Sequence, residues 1–154
     1  MDIRSVHADL VTRLATLAIT APYAAEIKRV YKYVPSLSRA IGDYPCFFLT
    51  YELTGVKFLP SFLEQDYTIH LQLFAGRAEP EQDVVADVAS AFLDALVTKL
   101  SASQRLGNTV SVIRGLRGAS PDTLTGLTWA GVNFVGLDLY LDVNLKTAKE
   151  HANT

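Results

Sequence analysis

Along GLDLYLDVNL, from Gly136 to Leu145, apolar and polar residues alternate without a break. A period of two predicts a strand with Leu137, Leu139, Leu141, Val143 and Leu145 on one face and Asp138, Tyr140, Asp142 and Asn144 on the other. DYTIHLQLF repeats the pattern, with Tyr67, Ile69, Leu71 and Leu73 opposite Thr68, His70, Gln72 and Phe74. Elsewhere the spacing changes. Ile3, Val6, Leu10, Leu14 and Leu17 recur at steps of three and four, which predicts one stripe of an amphipathic helix that Pro22 ends or follows. Val85, Val88, Phe92, Leu96 and Leu100, widened by Val84, Ala89 and Leu93, predict a second and longer helix. Pro80 with Glu79, Glu81 and Asp83 suits its first turn, Lys99 and Arg105 suit its negative end, and Gly107-Asn108 marks its exit.

Three further runs carry strand character: EIKRVYKYVP, CFFLTYEL up to Gly55, and TVSVIRG from about Thr109 to Arg114. LTWAGVNFVG joins LDLYLDVNL as one long strand or as two meeting near Gly136. PSLSRAIGDYP and GLRGASPDTLTG read as connections because prolines, glycines and small polar residues dominate them. VKFLPSFLEQD reads as a long connection with an apolar middle: Phe58, Leu59, Phe62 and Leu63 surround Pro60 without a regular period. Residues 146–154, ending in KEHANT, lack apolar periodicity and are expected to fray. Strands in runs with helices between them predict an α+β fold, a mainly antiparallel β-sheet with two principal α-helices packed on one face.

Composition narrows the class. At 154 residues, 49% of them hydrophobic and 19% charged, the chain suits one folded domain spanning 1–154. A formal charge of -2 gives no global attraction to nucleic acid or anionic lipid. A single cysteine, Cys46, excludes an intrachain disulfide and a multi-cysteine zinc site. MDIRSVHADLVTRL interrupts its apolar residues with charges from the start, unlike a signal peptide, and LATLAITAPYAA is too short to span a bilayer. The expectation is a soluble protein assembled in a cytoplasm.

Candidate chemistry is sparse. Asp138 and Asp142 point to one face, but four strand residues separate them by about 13 Å. Shared metal ligation needs oxygens within about 2.6 Å of one ion, and paired glycosidase carboxylates stand about 5–9.5 Å apart. The pair therefore reads as a polar sheet face. His7, His70 and His151 belong to no ligand motif, and Cys46 lies among apolar and aromatic neighbours that supply no base. GLRGASPD lacks the phosphate-loop pattern, although Arg114 and Arg117 beside it are available to a partner. The large apolar residues from Phe58 to Leu63 either fold back on the core or pack on another subunit. These residues imply a non-enzymatic domain without cofactor or metal, built around contact surfaces. A small enzyme or ligand-binding domain using His70 and a carboxylate is the alternative from another class.

The segment order resembles that of the tail terminator, or tail completion, proteins of long-tailed bacteriophages. The resemblance runs from about Ile3 to Leu145 through IRSVHADLVTRL, RVYKYVPSL with YPCFFLTYE, YTIHLQLFAG, DVVADVASAFLDALVTKL and LTWAGVNFVGLDLYLDVNL. It implies a subunit of a homo-oligomeric, hexameric ring at the head-proximal end of the virion tail. Such a ring caps the tail tube, terminates polymerisation and docks the head–tail connector or a neck protein, with DNA only in transit. The resemblance implies no catalytic residue and no membrane partner. It makes Phe58, Leu59, Phe62, Leu63, Arg114 and Arg117 expected subunit or tube contacts, with the loop from Gly115 to Gly126 as a second contact. The face bearing Asp138, Tyr140, Asp142 and Asn144 is then the expected lumen wall or subunit surface. A lumen of this kind is neutral or acidic, because a basic lining would hold DNA. The nearest alternative is another neck or tail component, a head–tail joining protein or a tube-like subunit.

Overall fold

A computed structural model describes residues 2–20, 24–31, 43–77, 82–103, 106, 112–118, 125–129 and 132–148. Helix α1, Ile3–Ala15, starts where Asp2 caps it: the Asp2 carboxylate accepts from the Ser5 backbone N–H at 2.8 Å. Its inward stripe is Val6, His7, Leu10 and Leu14. The helix ends two residues before Leu17, which nevertheless enters the core from the following turn. Two short strands, β1 (Ala18–Ile19) and β2 (Ala25–Glu26), then pair antiparallel. The strand expected across EIKRVYKYVP is split into β2 and β3 (Arg29–Tyr31), and its end lies outside the described residues.

The main sheet is built on three long strands, β4 (Cys46–Phe58), β5 (Phe62–Arg77) and β8 (Val132–Ala148). Its order is β3-β4-β5-β8-β6, where β6 is Val112–Arg117; β7 (Thr125–Trp129) pairs with the first part of β8. Among the described residues only β3 runs parallel to its neighbour; the other pairings are antiparallel. LTWAGVNFVG and LDLYLDVNL do not form a single strand: the break falls between Trp129 and Val132, and β8 then runs through Gly136 without interruption. Helix α2, Gln82–Ala102, has the expected position, although Glu79, Pro80 and Glu81, expected in its first turn, together with Arg105 and Gly107-Asn108, lie outside the described residues.

Two expectations are corrected. VKFLPSFLEQD is not a long connection; β4 and β5 continue through it as a hairpin whose turn is Leu59–Ser61, closed by Leu59 N–H donating to the Phe62 carbonyl at 3.0 Å. Residues 146–148 do not fray, because Lys146, Thr147 and Ala148 pair with Glu64, Leu63 and Phe62. Residues 149–154 lie outside the described residues.

Both helices pack on one face of the sheet. Phe47, Leu49, Ile69, Leu71, Leu73, Leu137, Leu139, Leu141, Val143 and Leu145 meet Val6, Leu10 and Leu14 of α1 and Val88, Phe92 and Leu96 of α2. Burying each such side chain contributes about 1.5–3 kcal/mol, which makes this layer the main source of stability. Among the described residues no helix packs on the opposite face, which carries a smaller aromatic cluster at one end. There Phe48, Phe74 and Phe134 pack with Cys46, Tyr31 and Tyr44, with ring centroids 4.6 Å apart between Phe48 and Phe74.

Candidate functional site

Beyond the aromatic cluster, the open face becomes a charged and hydrogen-bonded network. Register sets its rows. Thr50, His70, Tyr140 and Arg117 lie side by side across four strands, and Thr68 lies beside Asp142. The His70 ring stacks on Tyr140 with centroids 4.5 Å apart and planes 4° from parallel. On the β6 side the Arg117 guanidinium covers the same tyrosine at 4.9 Å. His70 Nε2 also contacts the Asp138 carboxylate, reached diagonally because Asp138 is the cross-strand neighbour of Gln72.

Asp142 is held from both sides. Arg117 donates from Nε to Oδ2 at 2.9 Å and from Nη2 to Oδ1 at 3.4 Å, and the Thr68 hydroxyl donates to Oδ1 at 2.7 Å. Partial burial pushes the Asp142 carboxyl up, but Arg117 and Thr68 outweigh it and leave the group below the usual carboxylate range. Further along, Asn144 Nδ2 donates to Glu64 Oε1 at 2.9 Å and to Asp66 Oδ1 at 2.8 Å. Arg114 donates to the same two oxygens, at 3.1 Å from Nη2 and 3.3 Å from Nε. The Asn144 hydrogen bond, ahead of Arg114, holds Asp66 below its ordinary value.

The arrangement revises how the predicted residues group. Arg117, expected in the connection, is a strand residue of β6 like Arg114, so both join Asp138, Tyr140 and Asp142 on one face. A bulge between Ile113 and Gly115 turns Arg114 toward the two carboxylates of β5. Gly118 ends the strand at φ +95°, and a Cβ there would stand 2.9 Å from the Asp138 carbonyl oxygen, so glycine is required. The rest of the predicted Gly115–Gly126 contact loop lies largely outside the described residues. Asn144 is corrected: it is fully buried and not a surface group, because Glu64, Asp66 and Arg114 close over it. Asp138 and Asp142 have separate partners, His70 for one and Arg117 with Thr68 for the other.

The four predicted apolar contacts do not act as one patch. Phe58 is 78% exposed at the hairpin tip, on the same side of the sheet as the helices. Leu63, its cross-strand neighbour, is half-buried, as is Leu59 in the turn. Phe62 faces the other way, half-buried under the Lys146 ammonium at 5.5 Å. Tyr51 and Leu53 were not anticipated; they stand exposed on the Phe58 side of β4, with the Tyr51 ring edge-on to His7 of α1 at 5.7 Å.

Among the described residues, no group of three or more His, Cys, Asp or Glu side chains is placed to hold a metal ion. Cys46 is buried, and burial, ahead of the Asp43 charge, pushes its thiol up to about 12, where the nucleophilic thiolate is scarce. No described helix is long and apolar enough to cross a membrane. No protein-family profile matches the chain, and no curated protein matches it.

Proposed function

We propose that the chain is a structural, self-assembling subunit of the tail-terminator kind. In this reading copies close into a hexameric ring at the head-proximal end of a phage tail. The ring caps the tube of tail tube protein, halts its growth and presents a docking surface to the head–tail connector or a neck protein. DNA passes through without being held, and the chain performs no catalysis. The observation that carries the reading is the long β4–β5 hairpin, which leaves Leu53 and Phe58 exposed on its helix side beside Tyr51, whose ring is partly packed on His7 of α1. Exposed aromatic and aliphatic side chains on a regular strand are what a subunit contact requires.

The open face supports the same reading. Its arginines are neutralised in place, Arg117 by Asp142 and Arg114 by Glu64 and Asp66. Paired arginines release few counterions to a passing polyanion, so such a wall lets DNA slide. The test is to add the purified protein to growing tail tubes and view them by electron microscopy. Caps at one end and arrested growth are expected. A protein that never binds tubes overturns the reading, and one that itself polymerises into tubes favours the tube-like alternative.

One contact favours a second reading. Asp138 orients His70 as a carboxylate orients a general base, with Thr50 in the same row and Thr68 in the next. The His70 side chain is 27% exposed on an open sheet face rather than enclosed in a cleft. Hydrolysis of activated ester probes that disappears in His70→Ala would support it; equal background rates for the two proteins dispose of it.

A further inference from the structure

Resting on the ring reading, we propose that successive copies of this chain join head to tail through one defined contact: the outer edge and apolar side of the β4–β5 hairpin of one copy seat in the groove between α2 and β6 of the next.

The two surfaces lie at opposite ends of the sheet order, β4 toward one edge and β6 at the other. Strand β3 covers only Cys46–Phe48 of β4, so among the described residues the outer edge from Leu49 to Phe58 pairs with no strand. The outer edge of β6 likewise pairs with no described strand. Each edge offers backbone N–H and C=O groups that a neighbouring strand can satisfy.

Side chains beside the two edges agree with this. Tyr51, Leu53 and Phe58 are 37%, 47% and 78% exposed on the helix side of the sheet. On that same side, the gap between α2 and β6 forms a groove of about 650 Å³ lined by Leu93, Val97, Leu116 and Leu139. An adjoining hollow of about 300 Å³ extends it along Leu100 and Ile113. Val97 is 48% exposed in the middle of this surface. A hairpin edge laid along β6 therefore brings its apolar side chains over the groove, because both face the same way. Because the two patches differ, the contact is heterologous, and a heterologous contact closes into rings when its rotation permits.

The test uses the full chain carrying Phe58→Cys in one sample and Val97→Cys in another. Both positions are exposed, and the buried native thiol of Cys46 stays out of exchange. Mixing the two under mild oxidation is expected to give a disulfide between positions 58 and 97, identified by peptide mapping. A chain with both changes is expected to give covalent multimers. Links between two copies of position 58 alone, or no link while the unmodified protein still forms oligomers, overturn the contact and leave the ring reading standing. A 58–97 link found only in open filaments upholds the contact and contradicts ring closure. Phe58→Glu supplies a second readout: loss of oligomers with an unchanged melting temperature is expected, and undiminished oligomers overturn the contact.

Discussion

At the scale of single residues, the acids of the open face are placed by partners that arrive from other strands. Asp66 and Asp142 are both stronger acids in the folded protein than in the unfolded chain. The stability they contribute is therefore fully present above about pH 4 and is lost as pH falls through their lowered folded values. Thermal melts across that range should show Asp142→Asn losing stability less steeply with acid than the parent protein. Parallel curves would mean that Arg117 and Thr68 do not hold the carboxylate. Cys46 gives a second expectation. A thiol pushed up to about 12 and sealed among Phe48, Phe74 and Phe134 should resist alkylation at about pH 8 until the protein unfolds. Fast labelling of the native protein contradicts that. The period of two in GLDLYLDVNL made it legible that Asp138, Tyr140 and Asp142 share a face. Which partners they meet was not legible, since His70 and Arg117 reach them through register set by strands far apart in sequence. Burial of Asn144 was hidden for the same reason.

At the scale of elements, helices were the most readable, because a stripe at steps of three and four needs no information from elsewhere in the chain. Phe92 sits fully buried on the α2 stripe, so Phe92→Ala should cost about 3–5 kcal/mol in urea unfolding. Phe58→Ala, at the exposed tip, should change the monomer by no more than about 0.5 kcal/mol. Comparable losses at the two positions would contradict the placement of the hairpin outside the core. That hairpin escaped sequence reading for a specific reason. A bulge between Leu53 and Gly55 shifts the phase of β4, so its helix-side residues pass from Tyr51 and Leu53 to Val56 and Phe58. Read without the bulge, the alternation fails at Gly55, and Pro60 then suggests a loop. The shift from odd to even apolar positions across one glycine, followed by a proline turn, was the available signal. On the other side of the hairpin, pairing with β5 keeps residues 146–148 in the sheet although they carry no apolar period of their own.

At the scale of the molecule, the fold is a sheet with helices on one face, a charge-paired opposite face, and edges left open beyond β3 and along β6 among the described residues. The α+β class was readable from element order, whereas the open edges emerge only from strand pairing. If the charge-paired face lines a lumen or meets a subunit, reversing Asp138 and Asp142 together to Lys should disturb assembly or DNA passage while far-ultraviolet dichroism stays native. Normal tails and unchanged particle yield in that variant would count against a role for the face. The central claim, that this chain assembles with itself into a closed ring, is tested most directly by native mass spectrometry of the purified protein across a concentration series. A discrete closed oligomer with the mass of six copies is expected; a strict monomer at every concentration would rule the ring out.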